Sequence, residues 1–289
     1  MAVYKRSYQP YRGLLTRRWP RCFVLTRYAW RELFASRFFL GFFIACLVPV
    51  LGFAGFLFAA NSQLLQLLFA IGSKRIFSIG TGFFTAFLEL QAGLAFLLTC
   101  WAGPRLVSGD LTNGALPLFL SRPFSRAEYV IGKFAVLTGL LSWLTWIPAL
   151  LLLFLQGGLS SQPWLGAHLW MVAPIVWCSL VWIGLLSLVA LAASAWVRWR
   201  IIAIAAIFAT FTIPAGFGGV MNAVLRTNWG HLLDLFYVFH MILTAGFRAP
   251  MTGTGALPQS AGWGMVALVS VVSLELLQAR LRGAEVVRG

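Results

Sequence analysis

Residues 103–133 read Gly-Pro-Arg-Leu-Val-Ser-Gly-Asp-Leu-Thr-Asn-Gly-Ala-Leu-Pro-Leu-Phe-Leu-Ser-Arg-Pro-Phe-Ser-Arg-Ala-Glu-Tyr-Val-Ile-Gly-Lys, a polar interruption between two long apolar stretches. Pro104 disfavours helix at the residue before it, and Asp110 can accept from the free N–H groups of a new helix. The preceding apolar helix is therefore predicted to end here. A short helix is predicted over 111–120. Its Leu111, Leu116, Leu118, Phe119 and Leu120 are too apolar for a free aqueous loop, so it is expected to pack against something. After Pro123, the run Ser125-Arg126-Ala127-Glu128 has the S-x-x-E form of a capping box with Ser125 as N-cap. Phe124 and Tyr129 fall at the two positions of a hydrophobic staple. That is a rigid start for the next apolar helix, and Arg122, Arg126 and Lys133 assign this side to the cytoplasm.

The flanking composition sets the class. Hydrophobic residues make up 60% of the 289 and charged residues only 10%, against about 25% in soluble domains. Mean hydropathy is +0.86. The reading is an all-α polytopic membrane protein with about six transmembrane helices, near 38–60, 80–103, 130–156, 165–196, 200–225 and 261–279. Residues 1–37 form a basic cytoplasmic tail and an interfacial helix, 38–279 the transmembrane domain and 280–289 a cytoplasmic tail. No cleavable signal peptide is expected, because the first apolar run starts late and is long.

The net charge of +15 raises the question of nucleic acid, and its distribution answers it. With the N-terminus inside, 18 of the 22 Lys and Arg fall on the cytoplasmic side. Only Lys74, Arg75, Arg226 and Arg248 fall outside. This is the positive-inside pattern, with both termini cytoplasmic and anionic lipid as the natural partner; no nucleic acid is implied.

With these residues in place, the chain resembles the permease subunits of type-2 ATP-binding cassette (ABC) exporters. The likeness rests on Asp110, Asn113-Gly114-Ala115-Leu116, Ser121-Arg122-Pro123, Ser125-Arg126, Tyr129 and Gly132-Lys133; Pro117 departs from the family pattern. The resemblance implies an ATPase-coupling element containing Asp110, Asn113, Gly114, Leu116, Phe119, Arg122, Pro123, Ser125, Arg126, Glu128 and Tyr129. It also implies separate ABC ATPase subunits that hold the ATP and Mg, no cofactor in this chain, and a second permease subunit in a homodimer or heterodimer. A bacterial cytoplasmic membrane and an amphipathic, lipid-like, peptide or drug-like substrate fit the same picture.

The rest of the chain is read from its residues. Over 21–37, Phe23, Trp30, Leu33 and Phe34 share one side of a helix, with Arg27 and Arg31 beside it. This suits an interfacial helix or a juxtamembrane anchor. Pro174 predicts a kink in the fourth span. The outward segment 226–260 is too apolar for a loop and too polar for a span, so it is read as a re-entrant or interfacial helix. Cys22, Cys46, Cys100 and Cys178 have no paired spacing and read as small core residues.

Catalytic signatures are absent: the sequence has no phosphate-binding G-x-x-x-x-G-K-[ST], no H-E-x-x-H and no G-x-S-x-G. Glu89 and Gln91 lie within the second span, where a charge costs about 2.5–3.5 kcal/mol, and are expected to face protein. Contact with a polar substrate or gate and a hydrogen-bonded structural role both suit Glu89. Glu275 is expected to pair locally with Arg280 or to snorkel. His231 and Asp234 are spaced i,i+3 without a third metal ligand, so no metal site is expected, and Tyr237 and the histidines read as interfacial anchors. The alternative function is an ATP-independent secondary transporter or channel, which should show paired intramembrane charges. A membrane-embedded enzyme would need catalytic groups that the sequence lacks.

Overall fold

The computed structural model describes residues 18–62, 79–112, 126–160, 164–197, 199–249 and 257–283, and all regular structure among them is helical. In chain order the helices are α1 (Arg18–Ala35), α2 (Arg37–Asn61), α3 (Thr81–Thr112), α4 (Arg126–Leu144) and α5 (Trp146–Leu159). They continue with α6 (Trp164–His168), α7 (Val172–Trp196), α8 (Arg200–Leu225), α9 (Leu235–Gly246) and α10 (Gln259–Gly283). Short 3-10 turns occupy Leu169–Met171 and Trp229–Leu233. Among the described residues, six stretches are long and apolar enough to cross a membrane: α2, α3 as far as Leu106, α4 with α5, α6 with α7, α8, and α10 as far as Arg280.

Burial separates these spans into two groups. The spans built from α3, α4–α5 and α6–α7 are 61%, 61% and 67% buried, whereas α2, α8 and α10 are 11%, 22% and 17% buried. The first group is the centre of the bundle and the second its periphery. In lipid, helices associate through close packing and hydrogen bonds, because lipid is as apolar as leucine. The α3–α7 contact uses both. A Cβ on Gly103 would stand 2.9 Å from Ala190 Cβ, so glycine permits this approach. Higher on the same pair, the fully buried Trp182 donates its Nε1–H to the Ala92 carbonyl at 3.2 Å. The Trp182 ring also packs on Phe211, Phe236 and Phe239, joining α8 and α9 to the centre.

Three expectations about helix ends and breaks are corrected. Helix α3 does not stop at Pro104 but runs on to Thr112. The clash that usually bars helix before proline involves the preceding Cβ, which Gly103 lacks. Asp110 consequently lies in the last turn of α3 rather than at the head of a new helix. Of the short helix read over 111–120, the first two residues finish α3 and the remainder lies outside the described residues. Second, the span predicted over 130–156 is broken at Thr145 (φ −104°, ψ −89°). Pro148 has no N–H to offer the Leu144 carbonyl, and at the break itself the Thr145 hydroxyl donates to the Leu141 carbonyl at 2.9 Å. Third, the fourth span is interrupted by the 3-10 turn before α7 rather than at Pro174. Pro174 falls in the first turn of α7, where its missing N–H would have had no intrahelical partner. Cys46, Cys100 and Cys178 are buried free thiols, as core residues should be.

Candidate functional site

Glu89 is eight residues into α3, roughly 12 Å along the helix axis from its start. Its Oε1 lies 2.6 Å from Nδ1 of His240 on α9. The two side chains are 41% and 42% exposed, so the pair is held by protein on one side and open on the other. Such a pair facing acyl chains would carry the full desolvation cost, so its open side is expected to meet water, substrate or another protein surface. One helical turn onward, the α3 surface at Gly93 has no atom within 4 Å of where a Cβ would stand. The α3 surface is thus open at that position, beside the pair.

His240 is held in place by the segment around it. Asp234 is the N-cap of α9: its Oδ1 accepts from the N–H groups of Phe236 at 2.9 Å and Tyr237 at 3.3 Å. His231 stacks on Tyr237 with ring centroids 4.7 Å apart. The 3-10 turn lies against α8, where a Cβ on Gly218 would collide with the Gly230 carbonyl and the Gly230 N–H donates to Asn222 Oδ1 at 2.7 Å. Leu235, Val238, Phe239 and Ile242 bury the other side of α9. The 226–260 segment therefore contains a short helix packed into the bundle. His240 is a partner of Glu89, which corrects its reading as an interfacial anchor. Its clue in the sequence was indirect: a lone carboxylate inside a span needs a polar partner, and His240 is the histidine set in the most apolar surroundings.

Gln91, two residues beyond Glu89, is fully buried, and neither its Oε1 nor its Nε2 is hydrogen-bonded among the described residues. An unpaired buried amide costs about 1–3 kcal/mol. Gln91→Leu is accordingly expected to raise the melting temperature in detergent; a lower one would mean that the amide has a partner essential to the fold.

At the opposite end of α3 lies the segment that carries the family resemblance. Asn113, Gly114, Leu116, Phe119, Arg122, Pro123 and Ser125 lie outside the described residues. Helix α4 starts at Arg126, with Glu128 in its first turn. Tyr129 is buried, and the Lys133 ammonium lies 5.6 Å from the centre of its ring. Helix α1 docks along α4: the Thr26 hydroxyl donates to the Gly132 carbonyl and the Trp30 indole to the Val136 carbonyl, each at 3.2 Å. Gly139 makes room for that indole, since a Cβ there would stand 2.6 Å from Trp30 Cζ2. On the same end of α3, the guanidinium groups of Arg105 and Arg200 lie 5.7 and 5.0 Å from the Trp101 ring centre.

Of the two readings of Glu275, local pairing with Arg280 and snorkelling, the pairing is not formed. It is exposed and makes no ion pair among the described residues. Arg280 turns instead to α7, where its Nε donates to the Ala195 carbonyl at 3.3 Å and its guanidinium covers the Trp196 ring. Five residues along a helix is a rotation of about 140°, which carries Arg280 away from Glu275.

Fold and composition together define an all-α, multi-pass membrane protein with a Glu–His pair between a candidate span and a short apolar helix. No protein-family model matches the chain, and no curated protein matches it in sequence.

Proposed function

We propose that the chain is the permease subunit of an ATP-driven exporter, pairing with a second permease subunit and with separate ATPase subunits that bind ATP and Mg. Both termini are cytoplasmic in this reading, and the cargo is an amphipathic, lipid-like, peptide or drug-like compound. The observation that carries it is the Asp110–Lys133 run, which resembles the type-2 ABC permeases and joins two of the three most buried spans. A displacement there would act directly on α3 and α4. Through the Thr26 and Trp30 hydrogen bonds, α1 would move with them.

The test is co-purification of the ATPase subunits with Leu116→Asp in membranes expressing all subunits. A carboxylate placed in an apolar contact is expected to reduce association at least ten-fold, because burying an unpaired charge costs more than about 1.4 kcal/mol. Ser125→Ala, which removes a cap worth about 0.5–2 kcal/mol, is expected to leave binding intact and lower coupled ATP hydrolysis. Full association and full activity of Leu116→Asp would remove this reading.

The Glu89–His240 pair favours a second reading, an ATP-independent transporter whose carboxylate and imidazole exchange protons. Transport by the chain alone, without nucleotide, would select it.

A further inference from the structure

An apolar cavity of about 370 Å³ lies between the ends of α7, α8 and α10, lined by Val189 and Ala193, by Ala206 and Thr210, and by Leu268 and Val272. Trp196 and Leu276, both in its lining, are joined by a polar contact. The Trp196 indole donates to the Leu276 carbonyl at 3.0 Å, stapling α7 to α10. One turn beyond Leu276, Arg280 is fixed by its bond to the Ala195 carbonyl and by its position 5.8 Å over the Trp196 ring. These contacts use Nε and the face of the guanidinium. No carboxylate among the described residues pairs with it. Arg200 opens α8 at the same end of the bundle, the end that the basic residues assign to the cytoplasm.

We propose that this cavity binds one anionic phospholipid, with an acyl chain between α7, α8 and α10 and the phosphate on the Arg280 guanidinium. Three alternatives fit less well. An apolar helix from a second copy leaves the Arg280 guanidinium without an anion. A neutral lipid makes no use of Arg280, and a free phosphate makes no use of the apolar wall. The Trp–Arg pair, with Arg280 at the last residue of its candidate span and on the side that the basic residues assign to the cytoplasm, matches both halves of an anionic lipid. This inference goes beyond the permease reading and does not rest on it.

The test uses the full-length chain in detergent, offered phosphatidylglycerol or phosphatidylcholine with identical acyl chains, with bound lipid counted by native mass spectrometry. One phosphatidylglycerol per chain is expected, preferred about five-fold over phosphatidylcholine, which is what about 1 kcal/mol from one basic residue at an anionic surface converts to. Arg280→Gln is expected to erase the preference while either lipid still binds, and Ala193→Phe to lower retention of both. Equal retention of the two lipids by the native chain overturns the proposal. So does a preference that survives Arg280→Gln, a folded Ala193→Phe chain that binds unchanged, or displacement of the lipid by equimolar inorganic phosphate. No ATPase is present in this assay, so its failure is separate from that of the Leu116→Asp experiment.

Discussion

Gly218→Ala is expected to lower the melting temperature and release the 229–246 segment from α8, whereas Gly219→Ala, one residue further on, is expected to leave the protein unchanged or slightly more stable. Both are glycine-to-alanine changes inside the same helix. At Gly218 the added methyl would occupy the position of the Gly230 carbonyl oxygen, a backbone atom that no rotamer change can move aside. Overpacking of this kind costs about 1–3 kcal/mol. The separation also threatens the Gly230–Asn222 hydrogen bond, worth about 0.5–1.5 kcal/mol. At Gly219 nothing lies within 4 Å, so only the gain of about 0.5–1 kcal/mol from removing a helical glycine remains. Thermal melting in detergent reads both. Equal melting of the two variants would mean that the 3-10 turn is not seated on α8.

The second large effect is expected at Glu89. Glu89→Gln keeps an oxygen that can accept a hydrogen bond from the His240 ring, so melting should change little while, on the permease reading proposed above, coupled ATP hydrolysis falls several-fold. Glu89→Leu removes the acceptor and should lower both. A hydrogen bond to a charged group contributes about 1.5–3 kcal/mol when buried. With both side chains about two-fifths exposed, solvent screening reduces this to about 1 kcal/mol, the coupling expected from a Glu89→Leu, His240→Leu double-mutant cycle. Normal hydrolysis by Glu89→Gln together with lower melting of Glu89→Leu would make the pair a structural tie between α3 and α9. Normal behaviour of both variants would leave it with no role.

The pair also separates what could be read along the chain from what could not. Glu89 stands out in the sequence because a carboxylate in an apolar run carries a known cost. His240 lies 151 positions away, and nothing local connects the two. Their meeting depends on the Asp234 cap, on the close approach of Gly218 to Gly230, and on the apolar side of α9 lying against its neighbours. Proline was misread for a related reason. Its missing N–H is a local fact, but the consequence depends on what precedes it and on its place in a helix. Gly103 lets Pro104 remain inside α3, and the turn before α7 puts Pro174 where no N–H is needed.

The sequence by itself determined the class of this protein: the apolar runs and the scarcity of charge give an all-α polytopic membrane protein with six candidate spans among the described residues. These are properties of single segments transferred between water and lipid, so they add along the chain. Only the tertiary structure decided which spans are central, how α1 is fastened to α4, which groups Glu89 and Arg280 face, and where a cavity opens between α7, α8 and α10. Those outcomes depend on contacts between residues far apart in the chain. In lipid such contacts are selected by shape and hydrogen bonding rather than by hydrophobicity, which is nearly the same for every span.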